Sequence, residues 1–272
     1  MSRQSTVDVL TFNLNNPSRE RAERQLAYLA ARPEHVLVLT ETADSAGCDL
    51  LEARFSEAGY SVTFPRPGRG ERGVMVVSRL ETRPLECGIE YLPHRAVGVA
   101  VDTTAGPLDV IGLYVPSRDA TEVKKERKRR FLEEARYALP SGLGAARVIL
   151  GDLNVLEPAH LPRYKFFQEF EYGFYDWFAE AGYADAFRAR QWAAAEYSWV
   201  GRTGDGYRYD HAFVSLPLVE RLLGCEYVHE PRTSEDRLTD HSALTVHLAV
   251  TATTPRLVTD PTRAEESAAA LF

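Results

Sequence analysis

Short apolar runs recur along this chain, bounded by turn residues, and several of them end on a carboxylate, a carboxamide or a phenol. That pattern constrains the fold more than any other feature of the sequence. Runs of this length read as buried strands, and the polar stretches between them carry helix-compatible spacing. The predicted strands are Val7 to Phe12, Val36 to Thr40, Val74 to Ser78, Val97 to Val101, Leu108 to Leu113, Val148 to Leu150, Tyr209 to Ser215 and Ala243 to Val250. Predicted helices cover Arg19 to Ala31, Asp49 to Ala58, Glu122 to Leu139 and Glu171 to Ala181, the last with Gly182 as its stop. Periodicity alone therefore gives a mixed α and β chain, rich in strands.

At 272 residues and 44% hydrophobic content, the chain can bury a core without disulfides or a structural metal. No Pro/Gly/Ser-rich stretch long enough to divide domains occurs before residue 250, so residues 1–250 read as a single domain. Beyond it, Thr, Pro, Ala and charge without periodicity predict a disordered tail over 251–272. Cys48, Cys87 and Cys225 are widely separated and show neither a disulfide framework nor zinc spacing. No apolar run approaches the roughly 18 to 20 residues of a membrane span, and no leader pattern opens the chain, so a cytoplasmic protein without membrane association is expected. Lys and Arg number 32 against 39 Asp and Glu, a net charge of −7. That balance argues against holding nucleic acid by bulk charge, because such binding comes from Lys and Arg displacing counterions from phosphates.

The polar run ends carry the chemistry. Phe12 leads into Asn13, Thr40 into Glu41, Leu113 into Tyr114, Gly151 into Asp152 and Asn154, and Thr239 into Asp240 and His241. One Asp or Asn after a strand is ordinarily a turn former or helix cap. Glu41 is less comfortable in that role, and the recurrence points to a shared site, since groups on the ends of buried strands are held rigidly. Carboxylates and carboxamides with one His, one Tyr and no Cys cluster form a hard oxygen-ligand set, which suits Mg²⁺ or Mn²⁺. Mg²⁺ completes its shell with waters and substrate phosphate oxygens, so a reaction at phosphorus follows. Hydrolysis there needs a positioned water, a base, charge stabilisation and help for the leaving oxygen. The residue types match those needs, and spacing alone leaves the roles open.

The segments Thr11-Phe12-Asn13-Leu14-Asn15, Leu39-Thr40-Glu41-Thr42, Gly112-Leu113-Tyr114-Val115-Pro116, Gly151-Asp152-Leu153-Asn154, Tyr207-Arg208-Tyr209-Asp210 and Thr239-Asp240-His241-Ser242 resemble, in this order, the endonuclease/exonuclease/phosphatase superfamily. Gly182 to Arg188 followed by Tyr197-Ser198-Trp199, together with Tyr114 where lipid-directed members carry His, makes the chain similar to the exonuclease III branch of abasic-site endonucleases. The resemblance spans residues 7 to 250. It implies a deoxyribonuclease I-like four-layer sandwich, two β-sheets flanked by helices, acting as a monomer on double-stranded DNA. It also implies Glu41 as principal Mg²⁺ ligand, with Asn13 and Asp240 contributing to metal or phosphate placement. Asp152 would orient and deprotonate the attacking water, Asn154 and Tyr114 would hold the scissile phosphate, and His241 would bind a phosphate oxygen as the imidazolium. Asp210 would sustain that charge, as a neighbouring carboxylate does for any His. Arg95 falls where the family has a phosphate-approaching Arg, and Trp199 and Tyr207 are candidates to line a pocket for an extruded sugar.

Two features separate this chain from the branch. Repair members carry a Lys after the metal Glu and its Thr, whereas here Thr42 is followed by Ala43-Asp44, and the stretch from Trp199 to Asp210 is short. With the acidic charge, these motivate a second reading, a phosphoesterase acting on a small phosphorylated molecule or another phosphodiester. The densest basic segment, Lys124 to Arg130, and the loop carrying Arg66, Arg69 and Arg72 are expected either to flank the site as a basic rim or to be solvated faces.

Overall fold

The computed structural model describes residues 6–161 and 164–263. In chain order the strands are β1 Val7–Asn13, β2 Val36–Thr42, β3 Ser61–Thr63, β4 Gly73–Ser78, β5 Thr82–Leu85, β6 Ala96–Thr103 and β7 Gly106–Leu113. They continue as β8 Ala146–Asp152, β9 Tyr183–Asp185, β10 Trp199–Val200, β11 Gly206–Tyr207, β12 Asp210–Ser215, β13 Leu222–Val228 and β14 Ala243–Leu248. The helices are α1 Arg19–Ala31, α2 Ala46–Glu57, α3 Glu122–Ala138, α4 Glu169–Glu180, α5 Ala186–Arg190, α6 Leu216–Val219 and α7 Glu230–Thr233. One six-stranded sheet runs β13-β14-β1-β2-β4-β3 and the other β5-β6-β7-β8-β12-β9, with β10-β11 a separate ribbon.

Side-chain alternation explains why these sheets stack. Val7 and Val9 of β1, Val36 and Val38 of β2 and Val74 and Val76 of β4 pack against Val97, Val99, Val110, Val148, Leu150 and Val214 of the facing sheet. The intervening residues point outward: Leu10, Phe12, Leu37 and Leu39 pack on α1 and α2, and Ile111, Leu113, Ile149 and Phe213 pack on α3 and α4. Central strands buried on both faces read as continuous apolar runs, which is why the sequence shows runs and not alternation. The expected four-layer sandwich is the observed one. No helix among the described residues is long and apolar enough to cross a membrane.

The predicted helices form, and α4 stops at Gly182, whose φ of +88° is readily adopted only without a Cβ. The expected tail boundary at residue 250 is corrected for residues 251–263. Thr253 N–H donates to the Asp102 carbonyl at 2.9 Å, Thr254 accepts from Glu81 N–H at 2.9 Å, and Thr259 N–H donates to Ala58 at 2.9 Å. The segment lacks periodicity because it forms no regular element. It is ordered because its backbone pairs with groups at the sheet edge and helix end that would otherwise go unpaired. Residues 264–272 of the predicted tail lie outside the described residues.

Behind the second sheet lies a buried ion network. Arg208, fully buried, donates to Glu157 at 3.0 Å, to Asp185 at 2.8 Å and to the Tyr175 hydroxyl at 3.1 Å. Arg188 binds the same Glu157 carboxylate. Burial by itself would raise the Glu157 pKa, but Arg188 and Arg208 hold it at about 2, while Arg208 and His211 hold Asp185 well below the usual carboxylate range despite its burial. Carboxylates depressed in this way stabilise the fold above their ordinary pKa, and that contribution is lost as pH falls from about 4.5 towards 2. Arg208→Met, which strands buried carboxylates, is expected to cost about 3–5 kcal/mol in urea unfolding. It should also flatten the fall in stability between pH 5 and pH 2. A loss under 1 kcal/mol would show the network to be dispensable.

Candidate active site

The same alternation that builds the core aims the polar residues. Asn13 continues the Val7 and Val9 face of β1, Tyr114 the Leu108 and Val110 face of β7, Asp152 the Val148 and Leu150 face of β8, and Asp210 the Ala212 and Val214 face of β12. All therefore emerge between the two sheets, at the end where the sandwich opens. Glu41 would face the helical layer with Leu37 and Leu39, but β2 shifts register against β4 between Thr40 and Thr42, and Glu41 takes φ +53°. The irregularity brings its side chain near enough for its charge to act on Tyr114 and on Asp152. A left-handed conformation costs a non-glycine residue about 1–2 kcal/mol, and such strain concentrates at functional sites. Gly151 has φ +149°, and a Cβ there would stand 2.0 Å from the Leu113 carbonyl oxygen. Only glycine lets β8 approach closely enough to set Asp152 beside Tyr114.

Asp210 pairs with Asp152 across β12 and β8, and ligand atoms of Asp152, Asp210 and His241 lie within 4.8 Å of one another. Asn13 Nδ2 donates to Asp152 Oδ2 at 3.1 Å, crossing from one sheet to the other. Asn154 N–H donates to Asp152 Oδ1 at 3.0 Å. Burial, then the Asp210 charge, pushes the Asp152 carboxyl well above its ordinary value. His241 Nδ1–H donates to Asp210 Oδ2 at 2.7 Å. Burial opposes the imidazolium, but Asp210 wins and holds its pKa up at about 10. Tyr114 is pushed far up by burial and by the Glu41 and Asp152 charges, so it is a neutral donor.

The other expected residues stand around this centre. Asp240 accepts from Asn15 Nδ2 at 2.8 Å and from Trp199 Nε1 at 3.2 Å. Arg95 is buried with its guanidinium 4.6 Å over the Tyr114 ring. Tyr207 is 7% exposed, and Trp199 and Tyr209 pack against it. It is a buried support of an aromatic cluster and not an open pocket wall.

Two positioning residues escaped the sequence reading. Ser198 Oγ accepts the backbone N–H of Tyr209 at 2.9 Å and of Asp210 at 3.0 Å, while its carbonyl accepts Ser242 N–H. Lys128, inside the basic run, is buried and donates to the Asn154 carbonyl and to Glu171. Its signal was present: Lys128, Phe131, Leu132 and Ala135 form one helical stripe.

The expected basic rim is corrected in composition. Arg66 is held by Asp49 and Glu52 of α2, Lys125 by Glu122 and Arg129 by Glu126. Two cavities lined by basic residues adjoin the acidic centre, and of their cations Lys124 pairs with Asp119, Arg95 and Arg127 with Glu71, and Arg118 with Glu171. One joins Tyr114 to Arg72, Arg95, Arg118, Lys124 and Arg127. The other joins Asp240 and Trp199 to Arg21, Arg202 and Arg237.

Over residues 10–241 the sequence matches the Endonuclease/Exonuclease/phosphatase family. The chain belongs to that family. Membership makes it a hydrolase of phosphoester bonds. An AP endonuclease from Archaeoglobus fulgidus has a similar structure, at TM-score 0.74 and 26% identity, over 88% of this chain and 98% of that one. A 3′-5′ exonuclease from Neisseria meningitidis aligns at TM-score 0.73 and 22% identity, over 89% and 99%. A Neisseria 3′ phosphatase bound to a product DNA hairpin aligns at TM-score 0.74 and 21% identity, over 89% and 99%. At those last identities the likeness establishes the fold. No curated protein sequence matches the chain.

As a family site, the centre fits a divalent cation. Asp152 and Asp210 lie side by side with the Glu41 charge acting on Asp152, and the His241 cation beside them is committed to Asp210. Asp210 Oδ1 is buried with no hydrogen-bond partner among the described residues. Such an oxygen-rich, under-compensated cluster takes a hard metal ion.

Proposed function

We propose that the chain is a Mg²⁺-dependent DNA phosphodiesterase of the exonuclease III type, a 3′-5′ exonuclease, an abasic-site endonuclease, or both, carried by a single catalytic domain. One observation supports this reading over a small phosphorylated substrate: two separate arginine-lined cavities adjoin the site, one at Tyr114 and one at Asp240. A single phosphate uses one cluster of cations, whereas a polynucleotide presents phosphates to both sides of the reacting one.

In this reading Glu41, Asn13 and Asp240 would hold Mg²⁺. When bound, the ion supplies Lewis acidity and charge neutralisation at the phosphate. Asp152, fixed by Asn13 and Asn154, orients the attacking water and accepts its proton. His241, kept as imidazolium by Asp210, donates to a non-bridging oxygen as negative charge builds there. Asn154 and the neutral Tyr114 position the phosphate, with Tyr114 nearest the leaving oxygen.

The test is a time course on intact, nicked and abasic-analogue duplexes with Mg²⁺ and with EDTA. Cutting is expected with Mg²⁺ and none with EDTA. Turnover of a phosphorylated metabolite with no DNA binding at low salt would favour the small-substrate reading.

The rim makes its own prediction. Arg127→Ala and Arg237→Ala, one in each cavity, should each weaken DNA binding uniformly across sequences. Each should also lower the slope of log K against log salt by about 1. An unchanged slope in both would place the DNA elsewhere.

A further inference from the structure

Between the two basic cavities the described residues place a row of aromatic rings. The Arg118 guanidinium, which lines the cavity beside Tyr114, sits 4.2 Å over the Phe166 ring. Phe166 is followed by Tyr164 at 6.1 Å, Tyr164 by Tyr207 at 5.0 Å, and Tyr207 by Trp199 at 5.8 Å. Trp199 lines the second cavity and binds Asp240. The row thus runs without a break from one cluster of cations to the other, where Trp199 meets Asp240.

Two of these rings lack the burial that would explain them as core. Tyr164 is 39% exposed and Phe166 is 36% exposed, while Tyr207 beneath them is buried. The backbone under them is held: the Phe166 carbonyl accepts from Arg118 at 2.5 Å, and the Tyr164 carbonyl accepts from the Tyr172 hydroxyl at 3.3 Å. Arg118 is itself fixed by both oxygens of the buried Glu171. The rings are therefore presented on an anchored platform, with little ordering entropy left to lose on binding.

Resting on the phosphodiesterase reading above, we propose that this ridge holds unpaired nucleotides of the reacting strand. The preferred DNA is then single-stranded or frayed beside the scissile phosphate, and not continuously paired. Aromatic platforms between cationic grooves bind nucleic acid through the faces of bases and the charge of the backbone. A paired, stacked base has both faces covered, so a duplex can use the ridge only where bases are free. A ridge reading base faces also lets a chain at −7 draw part of its affinity for DNA from stacking.

The experiment measures fluorescence-anisotropy binding by Asp152→Asn protein, which should bind without cutting, to a single-stranded oligonucleotide, a duplex with a frayed 3′ end and a blunt duplex. The first two are expected to bind at least tenfold more tightly than the third. Tyr164→Ala and Phe166→Ala should each weaken unpaired DNA on the order of 10-fold and shrink the preference over blunt duplex. Phe166→Leu keeps apolar volume and removes the aromatic face. It should behave as Phe166→Ala if stacking is the cause, and restoration by leucine would show the ring to be packing only, overturning the proposal. Equal affinity for all three DNAs would overturn it as well. Turnover of a chromogenic phosphodiester by the parent protein with Mg²⁺ separates the two levels of the argument. If the ester is cut and no DNA binds, the DNA reading fails. If DNA is bound without preference for unpaired bases, only the ridge fails.

Discussion

Asp152→Asn is expected to fold as the parent does and to lose at least about 10³-fold in turnover on any DNA the parent cuts, within the range that a general base contributes. The substitution keeps the shape and one acceptor oxygen. It removes the only charge at the position where Asn13 Nδ2 and Asn154 N–H converge. It also removes one of the carboxylates crowded at the open end of the sandwich. Burial and the Asp210 charge already oppose ionisation of Asp152, so the thermal midpoint without metal should be equal or higher, as for a site kept for chemistry and not for stability. Initial rates on an end-labelled duplex and a circular-dichroism melt are the two measurements. Residual turnover within tenfold of the parent would remove Asp152 from the reaction.

Asp210→Asn should produce the second largest loss, about 10²- to 10³-fold at pH 7.5, through His241. In the parent, His241 has its pKa raised to about 10. The imidazolium therefore persists across the neutral range and is lost only as pH rises through about 10. The stabilisation that the pair gives the fold is complete below about 6.5 and declines above it. With Asn at 210 the largest counter-charge is gone while the burial remains, and only Asp152 and Asp240 still favour the imidazolium, so the His241 pKa falls and the charged form is depleted at pH 7.5. The transition-state charge then lacks its donor cation. NMR titration of the His241 ring reports the shift directly, and rates at pH 6 and 7.5 report the consequence. The variant should regain activity relative to the parent as pH falls. A His241 that still titrates near 10 in Asp210→Asn would show another group to be holding its charge.

Much of this site was legible before any coordinates. Asn13, Tyr114, Asp152 and Asp210 lie on strand faces whose period the neighbouring valines and leucines display, so sequence position implies direction. Glu41 was legible only as an oddity, a Glu after a strand, because its direction depends on a register shift that no side-chain pattern records. Ser198 was inside a segment that resembles the family, but its two backbone hydrogen bonds join residues that only the fold brings together. The ordered stretch 251–263 left no periodic signal, since its backbone pairs with groups at the sheet edge and helix end and not with itself.

Charge was where linear reading failed most. The run from Lys124 to Arg130 looks like one basic face. In three dimensions Lys128 turns inward to Glu171, Lys125 and Arg129 close on acids of their own helix, and Lys124 and Arg127 line the cavity beside Tyr114 while pairing with Asp119 and Glu71. The opposite rim gathers Arg21, Arg202 and Arg237 from segments far apart in the chain. Strand order, the apolar period and the polar run ends determined the four layers and the catalytic centre, because those signals are local and the backbone's two-residue repeat carries them into space. Which cations line the cavities beside the centre, and that a row of rings joins them, was decided by tertiary structure alone. Ion pairing and ring packing depend on distances between segments that sequence separation does not encode.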